Sequence, residues 1–287
     1  VSDVIIDIDK CVGCGACVAE CPAYVLALAN EKSSVVAAER CIVCGHCAAV
    51  CPQEAISLSG FGSGEALDHA LMPEPGAVME LIRSRRSVRA YTDEPVSDED
   101  LKTLLDAARY APTGHNAQAW HFTVIRGSDK MAKLRNAVVD YMDGILHTLA
   151  DRQRREQLAA MVPADVFEGL QEMVPSLRAV VQAHRAGLDV IFRGAPALIV
   201  LHVPRVALTG VEDCHYGAGN IMLMAHAMGL GTCLVGFLVG PARNSREISA
   251  AIGIPRENEV AAALVIGHPK YRYRRVAPRR EVPVTWE

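Results

Sequence analysis

Beyond residue 96 the apolar positions fall into two alternating patterns. Ser97-Asp98-Glu99-Asp100 precedes Leu101, Leu104, Leu105 and Ala108, apolar at i, i+3, i+4 and i+7 behind a polar cap, which predicts a helix ending before Pro112. Short continuous apolar runs at 121–125, 197–203 and 260–266 predict buried strands. Residues 131–190 are charged and helical in pattern, and 220–228 predicts a small-residue apolar helix closed by Gly229 and Gly231. Met222, Met224 and Met228 sit at helical spacing on that segment and are expected in the core. Helices divided by a few strands of mixed spacing predict an α+β domain. No uninterrupted apolar run reaches the roughly 18 residues of a membrane span, so a soluble protein with no membrane partner is expected.

The first 60 residues are organised by cysteine. Eight of the ten cysteines fall within 41 residues, and Cys11-x2-Cys14-x2-Cys17-x3-Cys21-Pro22 recurs thirty positions later as Cys41-x2-Cys44-x2-Cys47-x3-Cys51-Pro52. This is an internal duplication at metal-ligand spacing. Zinc also uses cysteine pairs two residues apart, but two full copies, each with the trailing Cys-Pro, favour iron–sulfur chemistry. Gly13, Gly15 and Gly45 free the backbone to turn around a cubane, and Pro22 and Pro52 stop further winding. His46 lies inside a motif that already has four ligands and is expected to be packed or exposed. The thiolates must stay reduced, which fits the cytoplasm. Residues 1–10 carry three aspartates and no basic n-region, so no secretory signal is expected.

Over residues 1–59 the chain resembles the bacterial two-cluster ferredoxins. In these the fourth cysteine of each run serves the other cluster. The resemblance therefore implies one [4Fe–4S] cluster on Cys11, Cys14, Cys17 and Cys51, a second on Cys41, Cys44, Cys47 and Cys21, and transfer of single electrons. The charge adds to this picture. Residues 1–60 hold seven acidic and three basic side chains, a net −4, while the remainder balances at 26 of each. An acidic segment beside a neutral one argues against nucleic acid and permits docking of a basic redox-partner protein, though a solvated face accounts for it equally well. Ser59-Gly60-Phe61-Gly62-Ser63-Gly64 and Pro73-Glu74-Pro75-Gly76 are breakers. They divide the chain into a small domain at 1–59, a linker at 60–77 and a large domain at 78–287.

Arg83-Ser84-Arg85-Arg86-Ser87-Val88-Arg89 gathers four guanidiniums and two hydroxyls in seven residues. Such a run suits a phosphate, which arginine grips in a planar fork, although alone it reads as readily as a solvated basic face. The polar loop Ala111-Pro112-Thr113-Gly114-His115-Asn116-Ala117-Gln118-Ala119-Trp120 changes the balance. With Arg85-Arg86-Ser87-x-Arg89 it resembles the signature of the FMN-dependent nitroreductases, close to A-P-S-x-x-N-x-Q-P-W, departing from it at Thr113 and Ala119. Gly229-Leu230-Gly231-Thr232-Cys233-Leu234-Val235-Gly236 and Ala277-Pro278-Arg279-Arg280 extend the resemblance across 79–287.

The nitroreductase resemblance implies an α+β fold, an intimate homodimer through this domain, and FMN at the subunit interface. Arg85, Arg86, Ser87 and Arg89 would hold the phosphate and ribityl chain, with Arg279 or Arg280 completing the phosphate site. Thr113, Gly114 and Asn116 would approach from the partner subunit. Backbone groups of Leu234, Val235 and Gly236 would line the isoalloxazine ring and donate to N5. Cys214 and Cys233 lack ligand spacing and are expected as packing; His115 is expected to make a structural hydrogen bond, and Trp120 and His121 to lie in the core.

No G-x-G-x-x-G follows a predicted strand; Gly217-Ala218-Gly219 is followed by Met222 where the third glycine belongs, so a Rossmann nicotinamide site is unsupported. The expected function is passage of electrons from two [4Fe–4S] clusters to FMN and on to a small electrophile: a nitroaromatic, a quinone or an activated alkene. Substrate choice is expected in a lid within 135–190, and no obligatory acid–base residue is singled out. A non-catalytic electron-transfer or redox-sensing flavoprotein is the alternative from another class. A deiodinase or flavin-cleaving relative is the other enzymatic alternative, but 135–190 shows no clear counterpart of the deiodinase zwitterion-binding triad.

Overall fold

The computed structural model describes residues 3–287; Val1 and Ser2, which open the expected small domain, lie outside the described residues. The chain divides into two units. The first runs to Glu74 and takes in Thr113–Gln118; the second comprises Pro75–Pro112 and Ala119–Glu287.

The cysteine duplication folds as a duplication. In the first unit β1 (Val4–Ile6) is followed by α1 (Ala16–Ala19), β2 (Leu26–Ala29), β3 (Lys32–Val35), α2 (His46–Ala49) and β4 (Ile56–Leu58). β1 pairs antiparallel with β4, Val4 opposite Leu58, and β2 with β3, Leu26 opposite Val35. Each helix is one turn long and starts after a left-handed glycine, Gly15 at φ 75° and Gly45 at φ 78°. One turn is too short to persist alone. Its support is a small core of Val4, Val25, Leu26, Ile56 and Leu58 around Cys17 and Cys47, and a core of this size leaves room for a stapling cofactor.

The second unit opens with α3 (Pro75–Ser84). Pro75, read as a breaker, instead starts a helix, because the first helical position has no N–H bond to lose. α4 (Asp98–Arg109) begins where expected, its cap Ser97 Oγ accepting from Asp100 N–H at 3.0 Å. Then come β5 (His121–Arg126), α5 (Ser128–Ala150), α6 (Arg152–Met161), α7 (Ala164–Arg185), β6 (Ala197–Pro204), α8 (Gly210–Ala227), β7 (Gly231–Leu234), α9 (Gly236–Asn244), α10 (Arg246–Ile252) and β8 (Asn258–Gly267).

The sheet order is β5-β6-β8-β7, antiparallel throughout. Alternate residues of β6 feed two cores. Leu198 and Val200 join the core beneath α5, α7, α9 and α10, while Ile199, Leu201 and Val203 join the core beneath α4 and α8. Burial on both faces is why β6 and β8 read as unbroken apolar runs.

Two elements differ from the sequence reading. α8 begins ten residues earlier than 220, its first turns carrying polar side chains such as Asp213, which is buried and accepts from Thr209 Oγ1 at 3.1 Å. β7 was not expected as a strand at all. Four residues beginning with glycine carry no period, and Gly231 is required by contact: a Cβ there would lie 2.7 Å from Val88 Cγ2. Among the described residues no helix is long and apolar enough to cross a membrane.

Candidate cluster and flavin sites

In the first unit the eight motif cysteines sort themselves into two cavities. One is lined by Cys11, Cys14, Cys17 and, from the second motif, Cys51; the other by Cys41, Cys44, Cys47 and, from the first motif, Cys21. Backbone N–H groups are already aimed at several sulfurs: Ser33 to Cys11 at 3.4 Å, Val25 to Cys21 at 3.3 Å and Ala55 to Cys51 at 3.2 Å. Ser33 Oγ lies 3.3 Å from Cys17 Sγ. The last two N–H bonds occupy matching places in the two repeats, so the duplication extends to the electrostatics.

The thiols respond to these surroundings. N–H donation from Ser33 and then Gly13 lowers the Cys11 thiol, with burial opposing and Lys32 assisting. Burial, followed by the neighbouring thiols Cys44, Cys21 and Cys41, pushes Cys47 up to about 11. Four thiols crowded around one cavity resist ionising together unless a cationic group joins them. Iron in a four-thiolate cluster meets that need, so the donor set fits. Gly13 shows how closely the loop is wrapped: at φ +69° a Cβ would come within 2.0 Å of Glu31 O.

Thr113–Gln118 also belongs to this unit. His115, Asn116 and Gln118 have left-handed backbones at φ 53°, 54° and 44°. The Asn116 amide donates to Val43 O at 3.0 Å and Ile42 O at 3.3 Å, and its Oδ1 accepts from Gln118 Nε2 at 3.0 Å. Gln118 N–H donates to Thr113 Oγ1 at 3.3 Å. His115 is exposed.

In the second unit a pocket forms between the end of α3, the end of α8, β7 and the segment after β8. It is lined by Arg85, Arg86, His226, Thr232 and Tyr273, among others. A single bridge of Ser87 to Thr232, with Val88 N–H donating to Thr232 O at 2.9 Å, pins the arginine run to β7. Arg86 Nη1 donates to Arg85 O at 2.6 Å, while its buried Nε and Nη2 have no partner among the described residues. Burial, then Arg86 and Arg279, lowers the Arg85 guanidinium, so three cations share this locality. Unpartnered guanidinium N–H groups amid like charge are a site for an anion, and a phosphate monoester fits the fork.

Other expected residues fall variously around this pocket. Arg89, Arg279 and Arg280 are exposed. Leu234 is exposed and Val235 buried, with the Val235 N–H committed to Ala263 O at 2.8 Å. Gly236 opens α9, whose first turn has no side-chain cap. Cys214 and Cys233 are buried, the former pushed up to about 12 mainly by burial. Met222 and Met228 pack against the core beneath α8, whereas Met224 is exposed. Trp120 packs there too, but His121 is exposed on the edge strand and stacks on His202 at 5.5 Å.

The sequence reading missed His226 and Ser84. His226 Nε2 lies 2.7 Å from Ser84 Oγ, and burial followed by Arg85 and Arg86 lowers its pKa, favouring the neutral ring. Its position in the last turn of α8 offers no local signal of this. Tyr273, which donates to Ser87 O at 3.4 Å, lies in an arginine-rich stretch that draws the eye elsewhere.

A guanidinium pocket on an antiparallel α+β scaffold, in a chain that also carries two four-cysteine cavities, marks a redox protein with more than one kind of centre. Comparison with known proteins makes this specific. Residues 82–268 match the Nitroreductase family and residues 3–52 the 4Fe-4S dicluster domain. The first match spans more than half of the chain, which belongs to the nitroreductase family.

Among its relatives is a 4-nitrobenzoate reductase of Nocardioides sp. (strain LMS-CY), 28% identical over 217 residues, 69% of this chain and 82% of the relative. Another, from Archaeoglobus fulgidus, is provisionally named an NADH dehydrogenase/NAD(P)H nitroreductase and is 27% identical over 196 residues, 67% of this chain and 85% of the relative. The FMN-bound crystal structure of a nitroreductase from Bacteroides fragilis NCTC 9343 shares the fold, with TM-score 0.55 and 21% identity over 73% of this chain and 98% of that one.

Proposed function

We propose that this chain is a cytoplasmic FMN-dependent oxidoreductase that takes electrons singly through two [4Fe–4S] clusters and delivers them in pairs to a small electrophile, a nitroaromatic, quinone or activated alkene. The observation that carries this reading is that one chain holds both two four-cysteine cavities and the unpartnered Arg86 fork. FMN, when bound, supplies the exchange between one-electron and two-electron chemistry.

The chain's own residues bind and orient. Cys11, Cys14, Cys17 and Cys51 would ligate one cluster, and Cys41, Cys44, Cys47 and Cys21 the other, following the two cavities. Arg86 Nε and Nη2 would take two phosphate oxygens while Arg85 and Arg279 add charge, with Ser87, Arg89 and Arg280 alongside. The neutral His226 ring holds Ser84 beside the arginines without adding another cation. Of the groups expected at N5, Val235 N–H is already bonded and Gly236 N–H sits at an uncapped helix start, so Gly236 is assigned the N5 donation. Thr113 and Gly114 are assigned to the flavin of a second subunit.

A homodimer is part of the reading. Val78, Met79 and Ile82 give α3 an exposed apolar face, and Val284 and Trp286 of the C-terminal segment are exposed as well. Apolar surface of this extent is stabilised by burial in a second copy.

The test is anaerobic. Protein reduced with dithionite and freed of excess reductant is mixed with 4-nitrobenzoate or a quinone while absorbance of the oxidised flavin is followed. Stoichiometric reoxidation by the small molecule alone, two electrons leaving the protein for each acceptor molecule reduced, supports the enzyme. Reoxidation only by an added electron-transfer protein would make the chain a relay.

A further inference from the structure

The two repeats of the first unit place different residues in the same left-handed turn. Gly13 and Val43 stand thirty residues apart at the same place in their ligand loops, and both are left-handed, at φ 69° and 52°. Glycine enters that region freely, whereas a β-branched residue there is an outlier that its surroundings must impose. What surrounds Val43 is the Asn116 side chain, bonded to the carbonyls on either side of it, Ile42 O at 3.3 Å and Val43 O at 3.0 Å.

The carbonyls fix the amide's orientation. They can only accept, so the NH2 must face them, and Gln118 Nε2 donating to Asn116 Oδ1 holds the other end. The loop bearing Asn116 is itself held in three left-handed residues, which only tertiary constraint maintains. The first loop has a different donor: Lys32 Nζ to Cys11 O. Each ligand loop is thus braced through a carbonyl by a side chain outside its own cysteine motif, and the second draws its brace from a segment more than seventy residues away.

A bonded carbonyl makes the N–H of the same peptide unit a stronger donor. The peptide units of Ile42 and Val43 carry the N–H groups of Val43 and of the ligand Cys44. Stronger N–H dipoles within a cluster's ligand loop favour its more negative, reduced state, and hydrogen bonding around the sulfurs is one of the determinants of cluster potential. We propose that Asn116 is a positioning residue for the second cluster: its carboxamide holds Val43 in the left-handed turn and raises the reduction potential of the cluster on Cys41, Cys44, Cys47 and Cys21 while leaving the other unaffected. This rests on the cluster assignment above and goes beyond it.

The full-length protein and its Asn116→Ala variant are purified anaerobically, assayed for iron, sulfide and FMN, and titrated by EPR-monitored potentiometry. Cys14→Ser and Cys44→Ser variants assign the signals to the two clusters. The second-motif midpoint shifts downward in Asn116→Ala and the first-motif midpoint stays in place. Gln118→Ala, which frees the amide without removing it, shifts the second midpoint the same way by less.

If Asn116→Ala loses the second cluster altogether, the double variant Asn116→Ala with Val43→Gly regains its iron, because glycine tolerates the turn, yet keeps the lowered midpoint. Unchanged midpoints at full iron content, equal shifts of both, or loss of FMN without a shift would each overturn the assignment. Wild-type protein without iron or sulfide would instead overturn the cluster reading on which it stands.

Discussion

Replacing Arg86 with alanine separates a ligand-binding arginine from a structural one. Among the described residues its Nε and Nη2 are buried and unpartnered, and Nη1 is bonded to Arg85 O at 2.6 Å. If those two groups wait for phosphate oxygens, each supplies a charge-assisted bond of about 1.5–3 kcal/mol. Their joint loss of about 3–6 kcal/mol weakens FMN binding by roughly a hundred-fold to ten-thousand-fold. The stability of flavin-free protein should barely change. A buried unsatisfied polar group costs about 1–3 kcal/mol, and removing it offsets the lost Nη1 bond and packing. The unfolding free energy of flavin-depleted Arg86→Ala from urea titration should therefore stay within about 1 kcal/mol of wild type. Quenching of FMN fluorescence on titration reads the affinity, and circular dichroism reads the midpoint. Undiminished FMN affinity, or collapse of the flavin-depleted fold, would refute the reasoning. Arg86→Lys keeps the charge without the fork and should fall between the two.

Cys21→Ser should remove or perturb the cluster of the second motif and spare that of the first, because Cys21 lines the cavity of Cys41, Cys44 and Cys47; EPR of the reduced protein tells which signal is lost. Gly13→Ala should prevent assembly of the first-motif cluster, since its Cβ would meet Glu31 O at 2.0 Å and the left-handed backbone adds about 1–2 kcal/mol; the expected outcome is about half the wild-type iron. Buried His202 carries a pH dependence: burial, then His121, lowers it from 6.5 to about 4. A depressed histidine contributes stability that is complete above the unfolded value of 6.5 and lost as pH falls toward 4, on the order of 3 kcal/mol in all. Urea midpoints measured between pH 7 and pH 4 should show this loss, and His202→Gln should flatten it; an unchanged acid limb would count against it.

The cysteine duplication marked the first unit as one that wraps two centres, while the crossed ligand sets came through resemblance and its four strands were not read. Ligand spacing is local, so a cysteine triplet that wraps one centre is visible in the sequence, and so is its repetition at thirty residues. The capped helix at Ser97 and the strands buried on both faces were legible for the same reason: a capping side chain bonds three residues away, and a strand covered on both sides has no polar face to disguise it. The arginine run and the polar loop at 111–120 pointed to a flavin, but only through resemblance.

Tertiary structure decided what depends on distant partners. β7 exists because β8 offers it an edge, not because Gly231-Thr232-Cys233-Leu234 prefers to be extended. His226 joins Ser84 across 142 positions of chain, and Asn116 reaches the carbonyls of Ile42 and Val43. Val235 has no N–H to give because Ala263 has taken it. Periodicity reports which face of an element is apolar; which polar groups meet across that face, and which are left without a partner, is settled only when the chain has closed on itself.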